Sequence, residues 1–276
     1  MTDLRLTVIG CSAASPRPGG ACSSYLVTHG AVNVLLDCGP GSLSILRQEI
    51  NPRNLDAIVI SHLHADHTLD LVPLAYGLIY GPPVGDERKT REERLALFVP
   101  PGGKEFLNRL ADALEGSGQN GNLWAPYAIA EYDPNGTLVI GSGTGADHTG
   151  DLTFRFAPTK HYIPCWAIKV TPPGDDSHPV LVYGADSAPV ESLTQFAHGV
   201  DVLILEATVP EPESIGHMTP RQAGELAQAA GDVRHLLLTH YWGNIPPDKM
   251  IAEAHAAFDG PISVAKERAT YSVGKE

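Results

Sequence analysis

Short apolar runs alternate with polar turns along this chain, and the runs end in a restricted set of residues. Leu4, Leu6 and Val8 occupy every second position of the first run, the period of a half-buried strand over 4–9. Gly10 to Gly20, rich in Ser, Pro and Gly, reads as a loop. Ser24 to Thr28 and Val32 to Asp37 flank His29-Gly30 and predict a hairpin. Ser42 to Ile50 predicts a short helix, stopped by Asn51-Pro52. A buried strand is expected over 56–60, then a helix through Leu69, Leu71, Val72, Leu74, Ala75 and Leu78 that Gly81-Pro82-Pro83 terminates. Leu95 to Val99 reads as a strand. Lys104 to Leu114 reads as an amphipathic helix, with Phe106, Leu107, Leu110 and Leu114 at helical spacing.

In the second half, strands are predicted over 152–156, 166–170, 180–183, 200–205 and 235–239, the second and third forming a hairpin around Pro172-Pro173-Gly174. Thr219-Pro220-Arg221-Gln222 combines an N-cap, a proline at the first helical position and a Gln three residues after the cap, which predicts a helix over roughly 220–230. The charged run Asp86 to Arg94 and the Gly/Asn-rich stretch 115–123 read as loops. Gly141 to Gly145 reads as a turn, because it lacks the Lys-Ser/Thr of a phosphate-binding loop.

The polar residues at the run ends carry the chemistry. The strand at 56–60 leads into Ser61-His62-Leu63-His64-Ala65-Asp66-His67, three imidazoles and one carboxylate within six residues. Histidine is the commonest metal ligand, and Asp adds a harder donor. On a turn leaving a strand, His62 and His64 can face one point while Asp66 and His67 face a neighbouring one. This predicts a two-metal hydrolytic site; incidental histidines on a polar turn do not account for such density. Later runs end at His161, Asp186, Glu206 and His240. Taken singly, each reads as an ordinary structural residue. Together with 62–67 the candidates reach five His and two Asp, enough donors for two ions. Asp37, ahead of Cys38-Gly39-Pro40-Gly41, reads equally as a turn residue or as a carboxylate that orients metal ligands.

Composition narrows the setting. A chain of 276 residues that is 43% hydrophobic, with 28 Gly and 23 Pro, fits one loop-rich domain spanning 1–276. The formal net charge of −13 disfavours broad nucleic-acid binding through basic patches, but leaves room for a small anion held by metal ions. Four cysteines without a C-x-x-C pair read as reduced thiols. The N-terminus enters a strand directly, without a charged segment followed by an extended apolar one, so a cytoplasmic location is expected. No apolar run approaches 18 residues, so no membrane span is expected.

His62-Leu63-His64-Ala65-Asp66-His67, followed in order by His161, Tyr183-Gly184-Ala185-Asp186-Ser187 and Leu237-Leu238-Thr239-His240, resembles the metallo-β-lactamase fold superfamily. Asp37 resembles its early supporting Asp. The resemblance covers nearly the whole chain and implies an α/β fold: an αββα four-layer sandwich of two mixed β-sheets flanked by helices. It implies one ion held by His62, His64 and His161, a second held by Asp66, His67 and His240, and Asp186 bridging. Two Zn2+ suit the nitrogen-rich donor set, with Mn2+ as the alternative. Hydroxide bridging the ions would be the nucleophile.

Leu205-Glu206-Ala207-Thr208 and Gly216-His217-Met218-Thr219 look like the paired motifs of the RNase Z-like phosphodiesterase branch. Within this resemblance Asp66, Glu206 and His217 are the catalytic residues: His217 protonates the leaving oxygen, and Glu206 orients and charges it. Such an acid is needed because an alkoxide leaves poorly. Val8-Ile9-Gly10-Cys11-Ser12 and Phe258-Asp259-Gly260-Pro261 resemble, more loosely, bacterial cyclic-nucleotide phosphodiesterases of this branch.

Only about 25 residues separate His161 from Asp186, room for a hairpin and not for the tRNA-gripping arm of common bacterial ribonuclease Z. The resemblance therefore implies a phosphodiesterase for a small phosphodiester, a cyclic nucleotide above others, and a homodimer. A tRNA 3′-processing endonuclease and a lactone or thioester hydrolase are the alternatives. Tyr162, Trp166, Tyr241 and Trp242 flank ligands and read as surfaces that stack on a base, as walls of a substrate pocket, or as packing. Lys160, beside His161, reads as a solvent-facing residue ahead of the alternative, a phosphate contact.

Overall fold

The computed structural model describes residues 3–82, 93–116, 122–141, 150–173 and 180–274. The N-terminal alternation founds one sheet. Its strands are β1 (Leu4–Gly10), β2 (Ser24–His29), β3 (Val32–Leu36), β4 (Ala57–Val59), β5 (Leu95–Val99), β6 (Tyr127–Glu131) and β14 (Thr270–Val273), in the order β14-β1-β2-β3-β4-β5-β6. The other sheet contains β7 (Leu138–Ile140), β8 (Leu152–Pro158), β9 (Trp166–Thr171), β10 (Leu181–Tyr183), β11 (Val202–Glu206), β12 (Leu236–Thr239) and β13 (Ile262–Val264), in the order β13-β12-β11-β10-β9-β8-β7. Each sheet is mixed: β3 to β6 and β10 to β13 pair in parallel, while the remaining pairs are antiparallel.

Period-two patterning explains how the layers stack. Leu4, Leu6, Val8, Val34, Leu36, Ala57 and Val59 join the core between the sheets, with Phe154, Ile168 and Tyr183 from the second sheet. Their neighbours Ile9, Leu35, Ile58 and Ile60 point the other way, beneath helices α1 (Ser42–Glu49), α3 (Leu71–Tyr80) and α4 (Gly103–Glu115). The run at 57–60 is uninterruptedly apolar because both its faces are buried. Helices α5 (Glu191–Phe196), α6 (Pro220–Ala230) and α7 (Pro247–His255) lie against the second sheet, completing the αββα sandwich. All four cysteines are buried and free. Among the described residues no helix is long and apolar enough to cross a membrane.

The start of α6 follows its sequence signal. The Thr219 hydroxyl accepts from the Gln222 backbone N–H at 3.1 Å, and the Gln222 side chain accepts from the Thr219 backbone N–H at 3.0 Å. Thr219→Ala is expected to cost about 1 kcal/mol of stability, read as a shift of the urea midpoint at unchanged slope.

Elements with weak periodicity depart from expectation. The helix read from Leu69 onward is preceded by a separate turn of helix, α2 (Ala65–Thr68), so the second half of the His/Asp cluster is helical. β13 and β14 are short, incompletely buried edge strands. α7 buries Met250 and Ala254, too sparse a pattern to stand out in sequence. β6, β7 and α5 are likewise short. Most of the charged run at 86–94, the turn at 141–145, the centre of the loop at 115–123 and the hairpin tip at 174–179 lie outside the described residues.

Strand direction positions the chemistry. β3 and β4 run parallel in one sheet; β8, β10, β11 and β12 share one direction in the other. Asp37, His62, His161, Asp186, Glu206 and His240 all lie at or just beyond the C-terminal ends of these strands. Ligand sites in α/β proteins gather at this edge.

Candidate metal centre

Two groups of donors meet at that edge, and Asp186 belongs to both. The first is His62, His64, His161 and Asp186; the second is Asp66, His67, Asp186 and His240. Within each, one donor atom per residue lies within 4.8 Å of all the others. His64 Nδ1 is 3.1 Å from His62 Nε2 and 3.0 Å from His161 Nε2, and Asp186 Oδ2 is 3.8 Å from both of those Nε2 atoms. In the second group His240 Nε2 is 3.1 Å from Asp66 Oδ2 and 3.5 Å from Asp186 Oδ2. His67 Nε2 is 3.5 Å from both Asp66 Oδ2 and Asp186 Oδ1. A tetrahedral ion with bonds of 2.0–2.1 Å has donors roughly 3.3–3.4 Å apart, close to these separations.

Backbone strain helps aim these side chains. Among the described residues, three of the five non-glycine residues at positive φ are here: Asp37 at 58°, Ala185 at 51° and His240 at 51°. Such conformations cost on the order of 1–3 kcal/mol each and persist only where surroundings enforce them. They turn the chain sharply at strand ends, so the last residues project into the site.

Behind the donors, most ligand rings are fixed through their other nitrogen. His67 Nδ1–H donates to Asp37 Oδ2 at 2.7 Å, leaving Nε2 to face the site. Asp37 also accepts from Tyr183 Oη at 2.8 Å, Ser61 Oγ at 2.8 Å and the Ser61 backbone N–H at 2.7 Å. His62 Nδ1–H donates to Ser61 Oγ at 3.0 Å, His161 Nδ1–H to the Gly216 carbonyl at 2.9 Å, and His240 Nδ1–H to Thr208 Oγ1 at 2.8 Å. The two readings of Asp37 thus resolve in favour of orientation. Removing it leaves Tyr183 and Ser61 donors buried without their acceptor. Asp37→Ala is expected to lower metal affinity about 10- to 100-fold in a chelator competition.

The residues fit divalent cations on grounds independent of spacing. His67 Nε2 and Asp186 Oδ1 are buried without a hydrogen-bond partner, yet both point into the second group. Burial opposes charge on Asp186, but His240 and His67 hold its carboxyl well below the usual range. Burial likewise opposes charge on Asp66, and hydrogen bonds to His240 and His67 keep its pKa low. Burial first, then neighbouring histidines, holds His62 well below the usual histidine value, so it presents a neutral donor. Burial opposes charge on His67 too, but Asp186 and Asp37 hold its pKa well above the usual histidine value, so without an ion a proton on His67 balances the carboxylates. A divalent cation among these buried donors would take that proton's place.

Next to the second group stand Glu206 and His217, which with His240 make a third set of mutually close donors. His217 Nδ1 is 3.0 Å from Glu206 Oε1 and 3.1 Å from Oε2. Glu206 is wholly buried at the end of β11 and also accepts from the Ser187 and Met218 backbone N–H groups at 2.7 and 3.3 Å. Burial alone would push the His217 pKa down; the hydrogen bond and charge of Glu206, with Asp186 beyond, carry it up to about 9. The His217 ring lies 5.6 Å from that of His240 and 5.1 Å from that of His161, which sets this imidazole against both groups.

Every donor expected from sequence is therefore brought into one site, as are Asp37, Glu206 and His217. Sequence reading missed Ser61, Thr208 and the Gly216 carbonyl as supports, and did not give Tyr183 its part. Of the flanking aromatics, Tyr241 is buried and Trp166 packs edge-on to Tyr132 at 6.2 Å, whereas Tyr162 and Trp242 are exposed. Lys160 is exposed.

A buried His/Asp recess on the shared strand edge of an αββα sandwich is the arrangement of a metallo-hydrolase of the metallo-β-lactamase fold. The chain belongs to the β-lactamase superfamily: residues 32–241 match the Beta-lactamase superfamily domain, a span that includes Asp37 and every donor through His240. Divalent metal binding follows from that membership. A Bacillus subtilis protein named "Probable metallo-hydrolase YhfI" is 32% identical over 266 residues, covering 95% of this chain and 97% of the relative. The YhfI crystal structure superposes with a TM-score of 0.80 at 29% identity, over 98% of this chain and 99% of that one. Ribonuclease Z of Ignicoccus hospitalis is 26% identical over 290 residues, covering 87% of this chain and 89% of the relative. The crystal structure of unliganded yeast PDE1 shares the fold, with a TM-score of 0.69 at 13% identity over 99% of this chain and 100% of that one.

Proposed function

We propose that this metallo-hydrolase is a phosphodiesterase acting on a small phosphodiester, a cyclic nucleotide being the favoured class. The observation that carries the reading is the pairing of His217 with buried Glu206 at 3.0 Å beside the two donor groups. His62, His64 and His161 would hold one ion, Asp66, His67 and His240 the other, with Asp186 shared. Ions held there would supply Lewis acidity and an activated water. His217 supplies what remains. Its Nδ1 is bound to Glu206, so Nε2 delivers the proton to the departing oxygen. Glu206 keeps the ring aligned and favours its charged form. A thioester, whose thiolate leaves readily, has little need of this device; an alkoxide expelled from phosphorus needs it.

Similarity to ribonuclease Z favours a phosphodiester over a carboxylic bond, and by itself would favour tRNA. Two features oppose the large substrate. The net charge is −13. The described residues between His161 and Asp186 include the antiparallel β9–β10 pair. The test is a panel on zinc- or manganese-loaded protein: 3′,5′- and 2′,3′-cyclic nucleotides, precursor tRNA, a lactone and a β-lactam. Turnover confined to the cyclic nucleotides is expected. Turnover confined to the lactone or β-lactam refutes the phosphodiesterase reading, and precursor tRNA cleaved as fast as a cyclic nucleotide refutes the small-substrate reading.

A further inference from the structure

Tyr162 follows His161 directly, yet its side chain is not packed away. It is 56% exposed, whereas Tyr241 is 5% exposed and accepts an Arg17 hydrogen bond at 2.7 Å. Tyr162 is nevertheless held in place. Its hydroxyl donates to Glu213 Oε2 at 3.1 Å. Its ring centre is 5.0 Å from that of His161, and it meets the His217 ring edge-on at 5.9 Å. Beneath the outer end of the ring is Gly216, at φ 110°, where a Cβ would come within 2.3 Å of the tyrosine ring. Glycine thus lets the ring lie down on the backbone that leads into His217, and the same residue's carbonyl accepts from His161. Trp242 is also exposed, at 46%, but among the described residues it makes no ring contact with the site.

A flat aromatic surface, clamped at its hydroxyl end and open to solvent, thus borders both a proposed metal ligand and the proposed acid. We infer that Tyr162 is the stacking platform for the nucleobase of a nucleotide substrate. The inference rests on the phosphodiesterase reading and specifies the substrate's non-reacting part. Every nucleobase offers a π face, and tyrosine supplies contact area at low entropic cost because only two side-chain torsions need be fixed. The formal net charge of −13 argues for a mononucleotide over a polyanion.

The test uses titration calorimetry on the metal-loaded protein with adenosine 5′-monophosphate and with ribose 5-phosphate, which carries the same phosphate and sugar without a base. The unaltered protein is expected to bind the nucleotide more tightly. Tyr162→Ala is expected to weaken nucleotide binding roughly 10- to 100-fold, and to change ribose 5-phosphate binding by less than about twofold. Tyr162→Phe should retain the preference, and Tyr162→Leu, apolar but without a face, should lose it. An equal effect of Tyr162→Ala on both ligands, an effect on neither, or no initial preference for the nucleotide overturns the inference. If no phosphodiester is turned over while a Tyr162-dependent preference for the nucleotide persists, the reaction reading fails and the platform stands.

Discussion

Asp186→Asn is expected to abolish hydrolysis and strip metal from the protein while leaving the fold intact. Asp186 is common to both donor groups. Its Oδ2 faces His62, His161 and His240 at 3.5 to 3.8 Å, and its Oδ1 faces His67 at 3.5 Å. An amide of the same shape removes the shared negative charge and turns an N–H₂ toward atoms that should bind a cation. Several kcal/mol of transition-state stabilisation disappear with it, a fall in kcat/KM of roughly 10³- to 10⁵-fold. The measurement is metal content by plasma mass spectrometry beside initial rates, with circular dichroism to verify folding. Full metal occupancy and activity in a folded variant would remove Asp186 from the site.

How far this was legible in sequence depends on the range of each interaction. His62, His64, Asp66 and His67 announce themselves because one turn supplies four donors. His161, Asp186 and His240 could be recognised because each ends an apolar run, and strand ends in such folds converge. The supports are of another kind. Tyr183 reaches Asp37 across 146 residues of chain, and Thr208 is 32 residues from His240. Nothing in a lone Tyr, Thr or Ser forecasts which partner folding will bring. Asp37 was ambiguous for the same reason: a strand-ending Asp before glycine suits a turn as well as a support, and only the approach of Ser61, His67 and Tyr183 decides. In the fold, the apolar pattern identified the central strands, as unbroken runs at β4, β11 and β12, because both their faces are buried. It gave little at β13, β14 and α7, where partial burial leaves few apolar positions to set a period.

His217→Ala is expected to lower kcat by about 10²- to 10⁴-fold on a diester with an alkoxide leaving group, without loss of metal. The contrast with Asp186→Asn is informative, because one variant loses a proton donor and the other loses ions. Alkaline pH should mimic the His217 change. An acid works only while protonated, and Glu206 raises the His217 pKa to about 9 against the effect of burial. Activity on such a diester should therefore hold above the ordinary histidine range near 6.5 and fall as pH rises toward about 9; bound cations move the midpoint downward within that window. In His217→Ala this alkaline limb should vanish. Metal lost together with His217 would instead make it a ligand.

The most direct test of the central claim, cleavage of a phosphodiester with proton delivery from His217, is a leaving-group series. Rates would be measured for diesters whose leaving oxygens range from nitrophenoxide to a simple alkoxide, in the unaltered protein and in His217→Ala. The account predicts near-constant rates in the unaltered protein. In the variant it predicts a steep decline with rising leaving-group pKa, with the two proteins nearly equal on the nitrophenyl diester. A variant equally impaired across the whole series, or unimpaired on the alkoxide, would contradict it.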